Sequence, residues 1–286
     1  MASTPHLLGR DELVTTDDGR RLRVRVGGDG EDLVVLEAGL GVSGLYWGPV
    51  HEALRRHVRV VAYDRAGFGA SDPDTRPRDL TRLADDLEAV VRAHPHRRLV
   101  LVGHSWGGPI VRTVAARLVE RGHSLAGVVL VDQSDENDPI YFTRLARVVD
   151  VWQASSMVPL ARMRLLGPLT RASMTGLDVP LRRAVADASS SISAARETAA
   201  ELAQVESGLE RLKNAPPRLG SLPVTVISGQ RATPIDRRIR RGLVRAHRTT
   251  AAQHDGGRFV PAERSAHLIP LTEPELIAVE AQRALA

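Results

Sequence analysis

The stretch Leu99-Val100-Leu101-Val102-Gly103-His104-Ser105-Trp106-Gly107-Gly108, with Ile110-Val111-Arg112-Thr113-Val114-Ala115-Ala116 just after it, decides how this chain is read. Leu99–Val102 has no polar alternation, so it suits a strand covered on both faces. Residues 110–116 place apolar side chains at helical spacing. Between them lies Gly-x-Ser-x-Gly, and strand, turn and helix in that order form a nucleophile elbow. Such a turn strains the serine backbone, and the glycines on either side keep neighbouring atoms clear of it. The Ser105 hydroxyl then projects from the sheet edge, where the helix N-terminus favours developing negative charge. The bland reading is a glycine-rich strand–helix turn with an incidental serine. The intact flanking pattern argues against it.

The same alternation extends outward. Glu12–Thr16 and Arg21–Val26 flank Asp17-Asp18-Gly19-Arg20, a hairpin signal. Leu33–Glu37, Val58–Ala62 and Gly127–Val131 read as buried strands. Trp47–Arg56 and Leu80–Ala93 read as helices. This order implies an α/β class chain with a doubly wound parallel sheet. The pattern breaks after Val131. Over about 80 residues, from 135 to 217, no clear strand is evident, far beyond an ordinary connection. Residues 135–217 are expected to form an inserted helical cap, and 1–134 with 218–286 the core. Within the cap, Met157, Met163, Met174, Trp152, Tyr141 and Phe142 are expected mainly to fill its small core. The sheet pattern resumes with a strand at Pro223–Ser228, a helix at Pro234–Ala246, a strand at Arg258–Ala262 and a helix at Glu273–Leu285. Thr272 and Glu275 would form its capping box.

Composition narrows the partners. The chain has 286 residues, 43% of them hydrophobic, enough for a sizeable core. It has no cysteine, so no disulfide framework and no thiolate zinc site. Met1–Arg10 does not read as a secretory signal. No window approaches the roughly 18 apolar residues of a membrane span. A cytoplasmic protein without a membrane partner is expected. The formal net charge is +5, but Lys213 is the only lysine and the arginines are spread along the chain. The densest basic run, Arg237-Arg238-Ile239-Arg240-Arg241, falls on a helix whose apolar side is Ile239, Leu243 and Ala246, so it reads as a solvated face. Aromatic residues make up 3%, too few for a base-stacking platform, and no nucleic-acid partner is expected. His94 and His96 form a His-x-His pair with no third ligand evident, and no metal or cofactor is expected.

Three separated segments resemble one family. They are Gly103–Gly108, Tyr63-Asp64-Arg65-Ala66-Gly67-Phe68-Gly69-Ala70-Ser71-Asp72, and Ser265-Ala266-His267-Leu268-Ile269-Pro270-Leu271-Thr272-Glu273-Pro274-Glu275. In order and spacing they resemble the α/β-hydrolase-fold serine hydrolases, in the esterase and proline-iminopeptidase-like group. The resemblance covers about residues 10–135 and 215–286. It implies a mostly parallel eight-stranded sheet, with serine nucleophile, acid and histidine base in that chain order.

By that resemblance Ser105 is the nucleophile and His267, in the loop after the last strand, is the base. His254 reads as a turn residue and His104 as packing. Many family members place the acid in a Gly-x-x-Asp pattern after the seventh strand. Here that stretch is Gly229-Gln230-Arg231-Ala232, without a carboxylate. Asp236 follows, but Thr233 and Asp236 already fit a helix cap. The family's other solution sets the acid at the end of the sixth strand, where Asp132 follows Val129-Leu130-Val131. Asp132 is the first choice, with Asp236, Asp135 and Asp138 as alternatives. The oxyanion donors would be the backbone N–H groups of Leu40 and Trp106, with the Trp106 ring as a pocket wall and Tyr46 and Trp47 as further candidates. Asp64, Arg65, Ser71 and Asp72 would either touch substrate or brace their loop. The implied chemistry is acyl transfer to water from a small, largely apolar ester, lactone, thioester or amide. The alternative is a ligand-binding protein with little or no turnover. Oligomeric state is left open.

Overall fold

Apolar strands with no polar face must be covered twice, and the chain meets this demand with one eight-stranded sheet. The computed structural model describes residues 8–286, so most of the N-terminal stretch read above for a leader, Met1–Leu7, lies outside the described residues. The strands are β1 (Arg10–Thr15), β2 (Arg21–Gly27), β3 (Leu33–Glu37), β4 (Arg59–Tyr63), β5 (Leu99–His104), β6 (Gly127–Val131), β7 (Val224–Gly229) and β8 (Arg258–Ala262). Their order is β1-β2-β4-β3-β5-β6-β7-β8. The two pairings of β2, with β1 and with β4, are antiparallel and the others are parallel.

Alternate residues of the central strands feed opposite cores. Leu33, Val35, Leu99, Leu101, Val128 and Leu130 join the cluster that also holds Leu83, Leu87, Ile110 and Val114. Val34, Leu36, Val100, Val102, Val129 and Val131 join the one with Val50, Leu54, Ile277 and Ala281. The helices supplying these are α1 (Gly48–Leu54), α2 (Leu80–Arg92), α3 (Gly107–Glu120) and, later in the chain, α9 (Arg237–Ala252), α10 (Ile269–Thr272) and α11 (Pro274–Leu285). The sheet is therefore covered on both faces, as the period-two split requires.

Between β6 and β7 come five helices and no described strand: α4 (Arg144–Arg162), α5 (Leu166–Ser173), α6 (Val179–Ser189), α7 (Ile192–Leu202) and α8 (Val205–Asn214). Met174, Leu177, Leu181 and Val185 join one core cluster. Leu202, Val205, Leu209 and Leu212 join the other. The helical segment is thus anchored on both sides of the sheet. Two of its expected core residues are corrected: Trp152 is 71% and Met163 66% exposed. Trp152 shares the solvent-facing side of α4 with Leu145, Val148 and Val149, at helical spacing, and Met163 follows just past the end of that helix.

Other local readings are also revised. The helix expected from Trp47 is preceded by a 3-10 turn at Gly44–Trp47 and ends at Leu54. The capping box at Thr272 does not form. Glu273 precedes Pro274 and is pushed out of helical conformation (φ −139°), which separates α10 from α11. The Thr272 hydroxyl donates to the Leu268 carbonyl instead. Ahead of α9, the Thr233 hydroxyl donates to Asp236 at 2.6 Å within a turn, and the helix starts only at Arg237. Ile239, expected on the buried side of α9, is 51% exposed, while Leu243 and Ala246 are buried.

Candidate active site

The carboxyl ends of β5, β6 and β8 lie at one sheet edge because those strands run in the same direction. His104 pairs with Val131 and Gly229 with Ala262 in the strand register. Ser105, Asp132 and the loop holding His267 therefore leave the sheet on the same side. Ser105 has φ +53°, the left-handed conformation that a side chain adopts only under strain of about 1–3 kcal/mol. The surrounding bonds hold it there. Its N–H donates to the Val131 carbonyl, and its own carbonyl accepts the N–H groups of Gly108 and Ser134, each at 3.0 Å. Neither flanking glycine tolerates a side chain. A Cβ at Gly103 would lie 2.4 Å from the Gly107 carbonyl oxygen, and one at Gly107 would lie 2.5 Å from that of Glu37.

Asp132 is a second left-handed residue (φ +40°) and is fully buried. Its Oδ2 meets His267 Nδ1 at 2.8 Å. Its Oδ1 accepts the Gly229 N–H at 2.9 Å. Arg240 Nη1 sits 2.6 and 2.8 Å from the two oxygens. Burial by itself would raise the carboxyl pKa. The hydrogen bond and charge of His267, with His247 and Arg240 nearby, outweigh it and hold the group well below the ordinary carboxylate value.

The His267 side chain is 44% exposed. Its carbonyl lies 2.9 Å from His104 Nε2, and the two rings are 4.7 Å apart. Burial lowers the His104 pKa to about 3, with the His267 charge acting in the same direction, so His104 is neutral. A neutral ring can only donate to a carbonyl, which places its proton on Nε2. His104, read from sequence as packing, thus also props the His267 loop. The Ser105 hydroxyl makes no hydrogen bond to His267 in this structure. Such contacts tighten in many enzymes only when substrate binds.

The alternative acids are otherwise engaged. Asp236 is held by Thr233. Asp135 accepts from Gln133, Asn137 and Thr250. Asp138 caps the turn at Ile140. The Trp106 ring is 1% exposed and packs in the core, where a Cβ on Gly208 of α8 would fall 2.7 Å from its Cη2. This corrects its expected role as a pocket wall. Tyr46 and Trp47 are likewise buried, with the Tyr46 ring 5.4 Å from that of His104. The Asp64–Asp72 loop is braced against β2 and Gly44 as well as by its own bonds. Asp64 accepts from Gly44 and Arg25, Ser71 bonds the Asp64 carbonyl and the Arg23 N–H, and Asp72 accepts from Arg21. His94 and His96 each bond a local carbonyl. A cavity of about 570 Å³ lies between β2 and α6 around Arg25, Leu45, Val179 and Arg183. None of the candidate catalytic residues lines it.

Sequence reading missed Arg240, which it assigned to a solvated face. A signal was present: Arg240, Leu243, His247 and Thr250 share one side of α9 by their spacing, and the last three are buried.

The alpha/beta hydrolase fold family model matches residues 32–231. "Putative carbamate hydrolase RutD" of Caulobacter vibrioides is 36% identical over 111 residues, 38% of this chain and 40% of that protein. The chain thus spans well under half the length of the relatives of that name. An "AB hydrolase superfamily protein" of Gibberella zeae is 25% identical over 88% of this chain and 86% of its own length. Among solved structures, Cfl2 of Burkholderia cenocepacia superposes with a TM-score of 0.75 at 20% identity, covering 98% of this chain and 97% of that one. An esterase of Thermogutta terrifontis superposes with a TM-score of 0.71 at 20% identity, covering 97% and 98%. No described helix is long and apolar enough to cross a membrane. A match over more than half its length, on a mostly parallel eight-stranded sheet, makes this chain a member of the alpha/beta hydrolase fold family.

Proposed function

We propose that the protein is a serine hydrolase that acts through an acyl-enzyme on an ester, lactone, thioester or amide carbonyl of a small, largely apolar substrate. One observation carries the reading: the 2.8 Å bond between Asp132 and His267 forms at the sheet edge where Ser105 is held in its strained turn. In this reading His267 takes the Ser105 proton as the hydroxyl attacks. Asp132 holds the imidazole tautomer and stabilises the imidazolium. The N–H groups of Leu40 and Trp106 receive the oxyanion. His267 then protonates the leaving group, and water repeats the sequence to release the acid. No cofactor or metal takes part. Residues 135–217 act as the cap, set on a core of 1–134 and 218–286. RutD relatives are named for carbamate hydrolysis, so carbamates are to be assayed as substrates beside esters, lactones, thioesters and amides.

A second reading, a ligand-binding protein with little turnover, is favoured by Arg240, which neutralises the carboxylate that an imidazolium needs. A fluorophosphonate probe separates the two. Stoichiometric labelling at Ser105 that slows sharply in His267→Ala supports the hydrolase. Folded protein that stays unlabelled supports the binder.

Arg240 also yields a prediction in pH. Removing its charge frees Asp132 to stabilise the protonated imidazole more strongly. Arg240→Gln is therefore expected to move the acid limb of the kcat/KM profile to higher pH. An unmoved limb would mean that the ion pair has no electrostatic influence on the base.

A further inference from the structure

We propose that Arg65 is a positioning residue for the oxyanion peptide, and that Glu201 of α7 makes this positioning depend on docking of the helical segment. The inference rests on the serine-hydrolase reading and adds to it a residue and a coupling.

Arg65 is 1% exposed and all its guanidinium nitrogens are engaged. Nη1 donates to Glu37 Oε1 at 2.8 Å and to the Ala38 carbonyl at 2.7 Å. Nη2 donates to the Gly39 carbonyl at 2.6 Å and to Glu201 Oε2 at 2.9 Å. Nε donates to Glu201 Oε1 at 3.0 Å. An ion pair alone would need only the carboxylates. The two carbonyl bonds set the orientation of two consecutive peptide planes. The described peptides are all trans, so each N–H points opposite to its carbonyl. With the Gly39 carbonyl turned to Arg65, the Leu40 N–H faces away from the guanidinium. The other side of Gly39 is the elbow: a Cβ there would lie 3.3 Å from Ser105 Cβ and 3.0 Å from His104 Nδ1. The peptide is thus held between a cation on its carbonyl side and the nucleophile. A charged donor on the carbonyl also polarises the peptide and strengthens its N–H as a donor.

This loop needs a tether. Gly39 and Gly41 make its peptides easy to rotate, and Gly41 sits at φ +75°. The tether extends into the helical segment. Glu201 is fully buried, and α7 also places Glu197 3.3 Å from Arg78 and Thr198 against Gly41. Lysine cannot replace this arrangement, because one ammonium group cannot span two carbonyls and a bidentate carboxylate.

The test uses the full chain with p-nitrophenyl acetate and a fluorophosphonate probe. Arg65→Lys is expected to lower kcat by about 10- to 100-fold with KM within about threefold, short of the loss from deleting an oxyanion donor outright. Glu201→Gln, the milder change, is expected to lower kcat by about three- to tenfold. The double variant should fall no further than Arg65→Lys alone, because both act through one peptide. Amide exchange at residues 38–41 should accelerate in each variant, a readout independent of turnover and usable if the lysine variant folds poorly. Unlabelled wild-type protein would overturn the hydrolase reading and this proposal with it. Labelled wild type with kcat unchanged in a folded Arg65→Lys, a loss confined to KM, or unaltered exchange would overturn this proposal alone. Additive effects would overturn its coupling to α7.

Discussion

Ser105→Ala is expected to lower turnover of an activated ester by roughly 10⁴- to 10⁶-fold and to abolish fluorophosphonate labelling. The size follows from the proposed role: without the hydroxyl no acyl-enzyme would form, and His267 and the proposed oxyanion donors would retain only weak assistance to water. Folding should survive, since Ser105 is anchored through its backbone N–H and carbonyl. Its hydroxyl forms no side-chain bond that the fold requires. The left-handed backbone makes a further check possible. Ser105→Gly removes the Cβ that is strained at φ +53° and should raise the urea midpoint, corresponding to about 1 kcal/mol. A Ser105→Ala protein that kept a tenth of the wild-type rate would remove the serine from the mechanism.

Asp132→Asn is expected to cost about 10³- to 10⁴-fold in kcat, whereas Asp236→Asn should change it by no more than about twofold. The amide keeps the shape of the carboxylate but can present an N–H to His267, which favours the wrong tautomer. Asp236 interacts locally with Thr233, so its loss disturbs one surface turn. Equal damage from the two variants would undo the assignment. Stability offers a second readout. The Asp132 carboxyl is held below its unfolded value, so its contribution is full above about pH 5 and declines as pH falls toward the folded-state value. Asp132→Asn should therefore flatten the acid side of the stability–pH curve, measured by denaturant midpoints.

Much of this architecture was legible from local pattern. Gly127–Val131 and Arg258–Ala262 occur as strands with the bounds that apolar runs suggest. Leu80–Arg92 ends within a residue of its expected position. Such elements are written in neighbouring residues, because backbone hydrogen bonds and side-chain periodicity act over a few positions. Errors fell where local rules compete. Glu273 lost its helical conformation to the proline after it, and Thr272 found a closer acceptor than the cap.

Sequence by itself determined the strand–turn–helix at Ser105, the two-faced burial of the central strands and the break in pattern after Val131. Only the tertiary structure decided that Asp132, not Asp236, meets His267, that Arg240 turns inward to the same carboxylate, that Trp106 packs into the core, and that Arg65 grips the loop beside the nucleophile. Asp132 and Arg240 are 108 residues apart, and Arg65 and Glu201 are 136. Contacts over such separations depend on strand order and on which face of a helix meets the sheet. No window of neighbouring residues encodes a partner that becomes adjacent only after the whole sheet has assembled.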